Sequence, residues 1–147
     1  MSIETKETKE TKICFRRKKI MMNEFEIKKM MCDIGKRVYN RNMVAANDGN
    51  FSVKLNDDEF LCTPTGVSKG FMTPEYICKV NRKGEVIQAN PGFRPSSEIK
   101  MHMRVYEKRP DVGSVVHAHP TFATSFAIAG IPLSAPVSYT HLRAPRD

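Results

Sequence analysis

The sequence predicts an α/β protein built on a mixed sheet. Helical stripes and short strand patterns are interleaved along the chain rather than segregated. Two pairs of strand patterns are each joined by a tight polar turn, the mark of a hairpin. A further apolar run, Val115-Val116, continues into His117-Ala118-His119 and stops at Pro120. It reads as a buried strand carrying two imidazoles on one face at its carboxyl end.

From Asn23 to Asn42, the residues Phe25, Ile27, Met30, Met31, Ile34, Val38 and Tyr39 recur near helical spacing and predict a first amphipathic helix. Core packing is the ordinary use of its Met-rich face, with a binding groove as the alternative. Asn47-Asp48-Gly49-Asn50 is a turn. Strands are predicted over Phe51–Leu55 and Glu59–Cys62, with Asn56-Asp57-Asp58 between them. Thr63-Pro64-Thr65-Gly66 ends the second strand, and a short helical piece follows over Thr73–Tyr76. Ile77–Val80 and Glu85–Gln88 flank Arg82-Lys83-Gly84 as a second hairpin. Ser96 or Ser97 is expected to cap a helix running to about Lys108, with Ile99, Met103 and Tyr106 as its apolar stripe. Pro110-Asp111 breaks it before the strand Gly113–His119. Pro120 then opens a helix over Thr121–Ala129, and Gly130 stops it.

The 147 residues suit one domain with a core, and 40% hydrophobic with 27% charged residues suits a soluble globular chain. No apolar run is long enough to cross a bilayer, and no secretory signal precedes the first helix, so a cytoplasmic location without a membrane partner is expected. Cys14, Cys32, Cys62 and Cys78 lack a Cys-x-x-Cys spacing and read as reduced thiols. The formal charge of +8 is concentrated at the N-terminus, where residues 1–20 carry seven Lys/Arg and three Glu. Residues 21–137 hold fifteen Lys/Arg against twelve Asp/Glu, and their aromatics are not interleaved with the charges. This distribution argues against a nucleic-acid partner.

Neutral imidazole is a frequent ligand for zinc and similar divalent ions, and His117 and His119 have the spacing to share one. A structural His-x-His pair is the commoner outcome of that spacing, and a catalytic metal site normally takes three protein ligands. Glu98, at the start of the helix after Ser96-Ser97, is either a capping acid or a general acid/base. The same helix start, Gly49-Asn50 and Thr65-Gly66 each expose backbone N–H groups with polar side chains, as an anion site requires, although each alone is an ordinary turn. His102 shares a helical face with Glu98. It reads as a packed, hydrogen-bonded histidine before a ligand. No Gly-x-x-x-x-Gly-Lys or Gly-x-Gly-x-x-Gly is present.

Taken in order, Gly49-Asn50-x-Ser52, Thr63-Pro64-Thr65-Gly66, Pro95-Ser96-Ser97-Glu98 with His102, Arg109-Pro110-Asp111 and His117-x-His119-Pro120 resemble the class II aldolase/adducin family. The likeness is nearest to its L-fuculose-phosphate aldolase-like members and covers residues 23–137. It implies a three-layer α/β/α sandwich around a mixed, largely antiparallel sheet. It also implies a zinc or other divalent ion on His117, His119 and a later histidine. Glu98 would be the proton shuttle. Gly49, Asn50, Thr65, Gly66, Ser96 and Ser97 would hold the phosphate of a sugar-phosphate substrate. The implied reaction is retro-aldol cleavage through a metal-stabilised enediolate, in a homotetramer. A pentulose-phosphate 4-epimerase and an adducin-like, non-catalytic interaction module are the alternatives; the presence of His117, His119 and Glu98 argues against the second.

The likeness is expected to stop after Val137, short of the family's third histidine, which makes the chain a C-terminally truncated domain. Residues 138–147 read as a non-native tail, so His141 is not taken as the third ligand. Residues 1–20 read as a disordered basic tail, with purine-rich leader codons as its origin and Met21 or Met22 as the natural start. Two imidazoles, with Glu98 as at most an extra ligand, predict weak metal binding and little aldolase activity for the chain as it stands.

Overall fold

A computed structural model of the chain describes residues 22–132. The readings for residues 1–20, 138–147 and His141 lie outside the described residues. In order, the elements are α1 (Glu24–Asn40), β1 (Asn50–Lys54), β2 (Glu59–Cys62), β3 (Cys78–Asn81), β4 (Val86–Gln88), α2 (Ile99–Lys108), β5 (Ser114–His117) and α3 (Thr121–Ile128). Short 3-10 helices cover Lys69–Phe71 and Pro74–Tyr76. The strands form one sheet in the order β4-β3-β2-β1-β5, antiparallel at every pairing.

Strand alternation explains the three layers. Residues two apart on a strand share a face. Leu61 therefore packs on one side of the sheet with Phe51 and the α1 residue Met31. Phe60 and Cys62 pack on the other with Cys78, Val80 and the α2 residues Ile99 and Tyr106. Leu61, Cys78 and Val80 are fully excluded from solvent. The Asn23 side chain caps α1 by accepting from Glu26 N at 2.8 Å. Glu24 of α1 also reaches Lys79 of β3 at 2.5 Å, fixing the helix against the sheet.

The two hairpins and the three helices stand within a few residues of their predicted places. Three expectations are corrected. The run ending at His117 is not a buried strand: β5 lies at the sheet edge among the described strands, and Val116 is 54% exposed. An apolar run on an edge strand has one neighbour rather than two, so pattern alone overstates its burial. The strand also ends at His117, with His119 beyond it. The second helix begins at Ile99 rather than at the serines, with Glu98 in the capping position. Ser96 N is bonded to Thr63 O at 3.0 Å, which ties that residue to the neighbouring loop. No helix among the described residues is long and apolar enough to cross a membrane.

Candidate active site

Every residue singled out from the sequence as catalytic, metal-binding or substrate-binding lines one cavity of about 450 Å³. Three chain segments build it, and each is held by a specific contact. The β1–β5 register places Asn50 directly opposite His117. An isolated bridge between Pro64 and Pro95 joins the loop after β2 to the segment before α2, with Thr65 N donating to Arg94 O at 2.9 Å. Phe51 N donates to Thr63 Oγ1 at 3.0 Å, locking that loop to β1. Gly49 sits at φ 75°, where a Cβ would fall 2.5 Å from Val44 Cγ1 and 3.0 Å from the His117 carbonyl oxygen. Only glycine fits that approach.

His117 and His119 stand side by side, with ring centroids 4.8 Å apart and planes at 43°. The strand ends between them, yet His119 is steadied because its N–H donates to Met43 O at 2.8 Å. Asn50 Nδ2 is 3.2 Å from His117 Nδ1, while the buried Asn50 Oδ1 has no partner among the described residues. Turning the amide over gives Nδ1–H of His117 an acceptor in Oδ1. It leaves Nε2 with its lone pair free, the tautomer a metal ligand needs. The orphaned atom then becomes an N–H, a donor available to an anionic or carbonyl ligand. The donor set therefore fits a divalent ion at two positions. No group of three or more His, Cys, Asp or Glu side chains with metal-holding geometry occurs among the described residues.

Glu98 lines the same cavity at the head of α2 and is exposed. Its backbone N–H donates to Ser96 Oγ at 3.3 Å, and its own side chain makes no capping bond. The carboxylate is thus left for the cavity. His102 does not line it. It is buried, with Nδ1 2.7 Å from Ser52 Oγ, which in turn lies 2.8 Å from Tyr106 OH. Burial, reinforced by His117, lowers its pKa from the usual 6.5 to about 4, so it is neutral at physiological pH. This is the packed histidine the sequence reading favoured. Sequence reasoning missed Asn47, Asp48 and Lys69 as wall residues. Lys69 carries the one usable signal, a single charge in a stretch otherwise of small and apolar residues, Val67 to Met72.

Residues 29–146 match the class II aldolase and adducin N-terminal domain. The chain belongs to the class II aldolase/adducin family. It is 32% identical over 106 residues to a 3-oxo-tetronate 4-phosphate decarboxylase of Haemophilus influenzae, covering 72% of this chain and 49% of that one. It is 37% identical over 91 residues to an L-fuculose phosphate aldolase of Methanococcus vannielii, covering 62% and 48%. A methylthioribulose-1-phosphate dehydratase of Granulibacter bethesdensis is 35% identical over 108 residues, covering 74% and 50%. The fold matches that of an L-fuculose 1-phosphate aldolase from Glaciozyma antarctica with a TM-score of 0.68 at 24% identity, covering 75% of this chain and 46% of that one. The chain spans about half the length of the curated relatives it matches.

Proposed function

We propose that this chain carries the substrate-binding and proton-transfer half of a metal-dependent aldolase acting on a sugar phosphate of the L-fuculose 1-phosphate type. The observation that carries the reading is a single cavity walled by two adjacent imidazoles, a free carboxylate and a set of hydroxyl and backbone donors. Gly49, Asn50, Thr65, Gly66, Ser96 and Ser97 hold the phosphate, which orients the sugar so that little motion is needed at the reacting carbon. Glu98 carries the proton to and from that carbon or its oxygen. His117 and His119 hold zinc or another divalent ion, oriented through Asn50. When bound, such an ion supplies a fixed positive charge beside the oxygen that becomes electron-rich as the C–C bond breaks.

The relatives named as aldolase, decarboxylase and dehydratase all act on phosphorylated sugar-like compounds. The common element supports the phosphate subsite, and the carboxylate beside the imidazoles supports the lyase class. The free Cys32, Cys62 and Cys78 support a reducing, cytoplasmic setting. A homotetramer is part of the same proposal for the intact enzyme. The test is to supply the intact enzyme with zinc and L-fuculose 1-phosphate and follow release of the phosphorylated three-carbon fragment. Release supports the aldol reading. Release of carbon dioxide from a 3-oxo-tetronate 4-phosphate with no aldol cleavage would reassign the activity to decarboxylation.

A further inference from the structure

Lys69 is 1% exposed, although it bears a charge. It opens the 3-10 helix packed beneath α1, so close that a Cβ on Gly35 would fall 2.5 Å from the Lys69 carbonyl oxygen. Its Nζ donates to Asn47 O at 3.0 Å and to Val67 O at 2.6 Å. Those carbonyls belong to the two loops that carry Gly49 and Gly66, on either side of the cavity that Lys69 itself lines. An ammonium has three N–H donors. The third has no partner among the described residues, and no carboxylate there forms an ion pair with Lys69.

A buried ammonium without a counter-charge is costly, and an aliphatic residue would fill the same space without that cost. Burial lowers its pKa, and Asp48 opposes the shift without making contact. Among the described residues lining the cavity, Lys69 is the single lysine or arginine, whereas Asp48 and Glu98 both bring carboxylates. The hydroxyl and backbone donors opposite are neutral. An anion entering this cavity meets repulsion from two acids and compensation from one cation.

We propose that Lys69 is the charged residue of the anion end of the cavity: it takes the phosphate oxygen with its third N–H while its other two bonds hold the two glycine loops at the spacing the phosphate requires. The inference deepens the sugar-phosphate reading and rests on it for the identity of the anion. A charge-assisted bond of this kind is among the stronger polar contacts. It makes Lys69 a specificity determinant for phosphorylated over unphosphorylated ligands.

The test titrates inorganic phosphate into the isotopically labelled chain and follows the Gly49 and Gly66 amides together with the Cε and Nζ resonances of Lys69. The account predicts that all four move with one dissociation constant, and that Lys69→Met weakens binding about tenfold or more. Equal affinity in Lys69→Met, or a Lys69 Nζ unmoved at saturation while the glycine amides shift, would overturn the assignment and leave the sugar-phosphate reading intact. The Nζ measurement is made on the wild-type chain, so it decides the matter even if the variant does not fold. If phosphate moves none of these groups, the sugar-phosphate reading itself falls, and the role of Lys69 with it.

Discussion

The two walls of the cavity rest on unequal foundations. The anion wall is carried by β1, β2 and the Ser96 segment, which surround fully buried residues such as Leu61 and Thr63. The histidine wall rides on β5 and the turn into α3; Val116 of β5 is 54% exposed, and Phe122 and Ile128, near the two ends of α3, are each 83% exposed. Donors for phosphate must be pre-positioned, because several weak bonds must form together. Imidazoles can be gathered by the ion they bind, as metal binding and ordering are coupled. The proposed anion end is therefore formed by packing within this chain, while the proposed metal end rides on the four-residue pairing of β5 with β1 and on two bonds beyond it, His119 N–H to Met43 O and the Thr121 hydroxyl to Asn42 O.

The sharpest way to break that comparison is in the core. Leu61→Ala should cost about 2–5 kcal/mol, as large-to-small changes at fully buried sites do. Ile128→Ala should change stability by less than about 0.5 kcal/mol, as surface changes do. Urea midpoints of the two variants measure this, and equal losses would show that the β5–α3 end is packed as tightly as the sheet centre. Next in size is Glu98→Gln in the intact enzyme. Turnover should fall about 100-fold with the fold retained, the loss typical of a missing proton carrier. Turnover near that of wild type would remove Glu98 from the mechanism.

Ser52→Ala should cost about 1–3 kcal/mol, because it leaves His102 Nδ1 and Tyr106 OH without their shared partner inside the core. A midpoint equal to wild type would show that a water or a rearrangement replaces the hydroxyl. A separate test concerns pH dependence. Folded His102 titrates near pH 4 and an unperturbed histidine near 6.5. Between those values the unfolded chain binds more protons, so stability falls as pH is lowered through that window and levels off below it. His102→Gln should flatten that part of the profile, and an unchanged slope would assign it to other groups.

Much of this was legible in the sequence, for reasons that differ by element. The hairpins were readable because Asn56-Asp57-Asp58 and Arg82-Lys83-Gly84 interrupt strand patterns with turn chemistry that is purely local. That the candidate residues share one cavity was readable because their motifs stand in a fixed order, each beside a turn or a helix start. The exposure of β5 was not legible, since burial of Val116 depends on what lies next to the strand and not on the strand. Lys69 was not legible as a wall residue because Asn47, whose carbonyl it holds, is 22 residues away in sequence. No periodicity records such a contact. Glu98 was placed one or two residues too far into its helix because the Thr63–Ser96 bond, a tertiary contact, delays the helix start.

The most direct trial of the account is a zinc titration of the chain with nitrogen-labelled histidine side chains. Two imidazoles with no third ligand grouped with them among the described residues predict a weak, saturable step in which the Nε2 resonances of His117 and His119 shift together while those of His102 stay still. Shifts confined to one of the two rings, or zinc binding that survives loss of both, would contradict a shared ion beside the phosphate cradle.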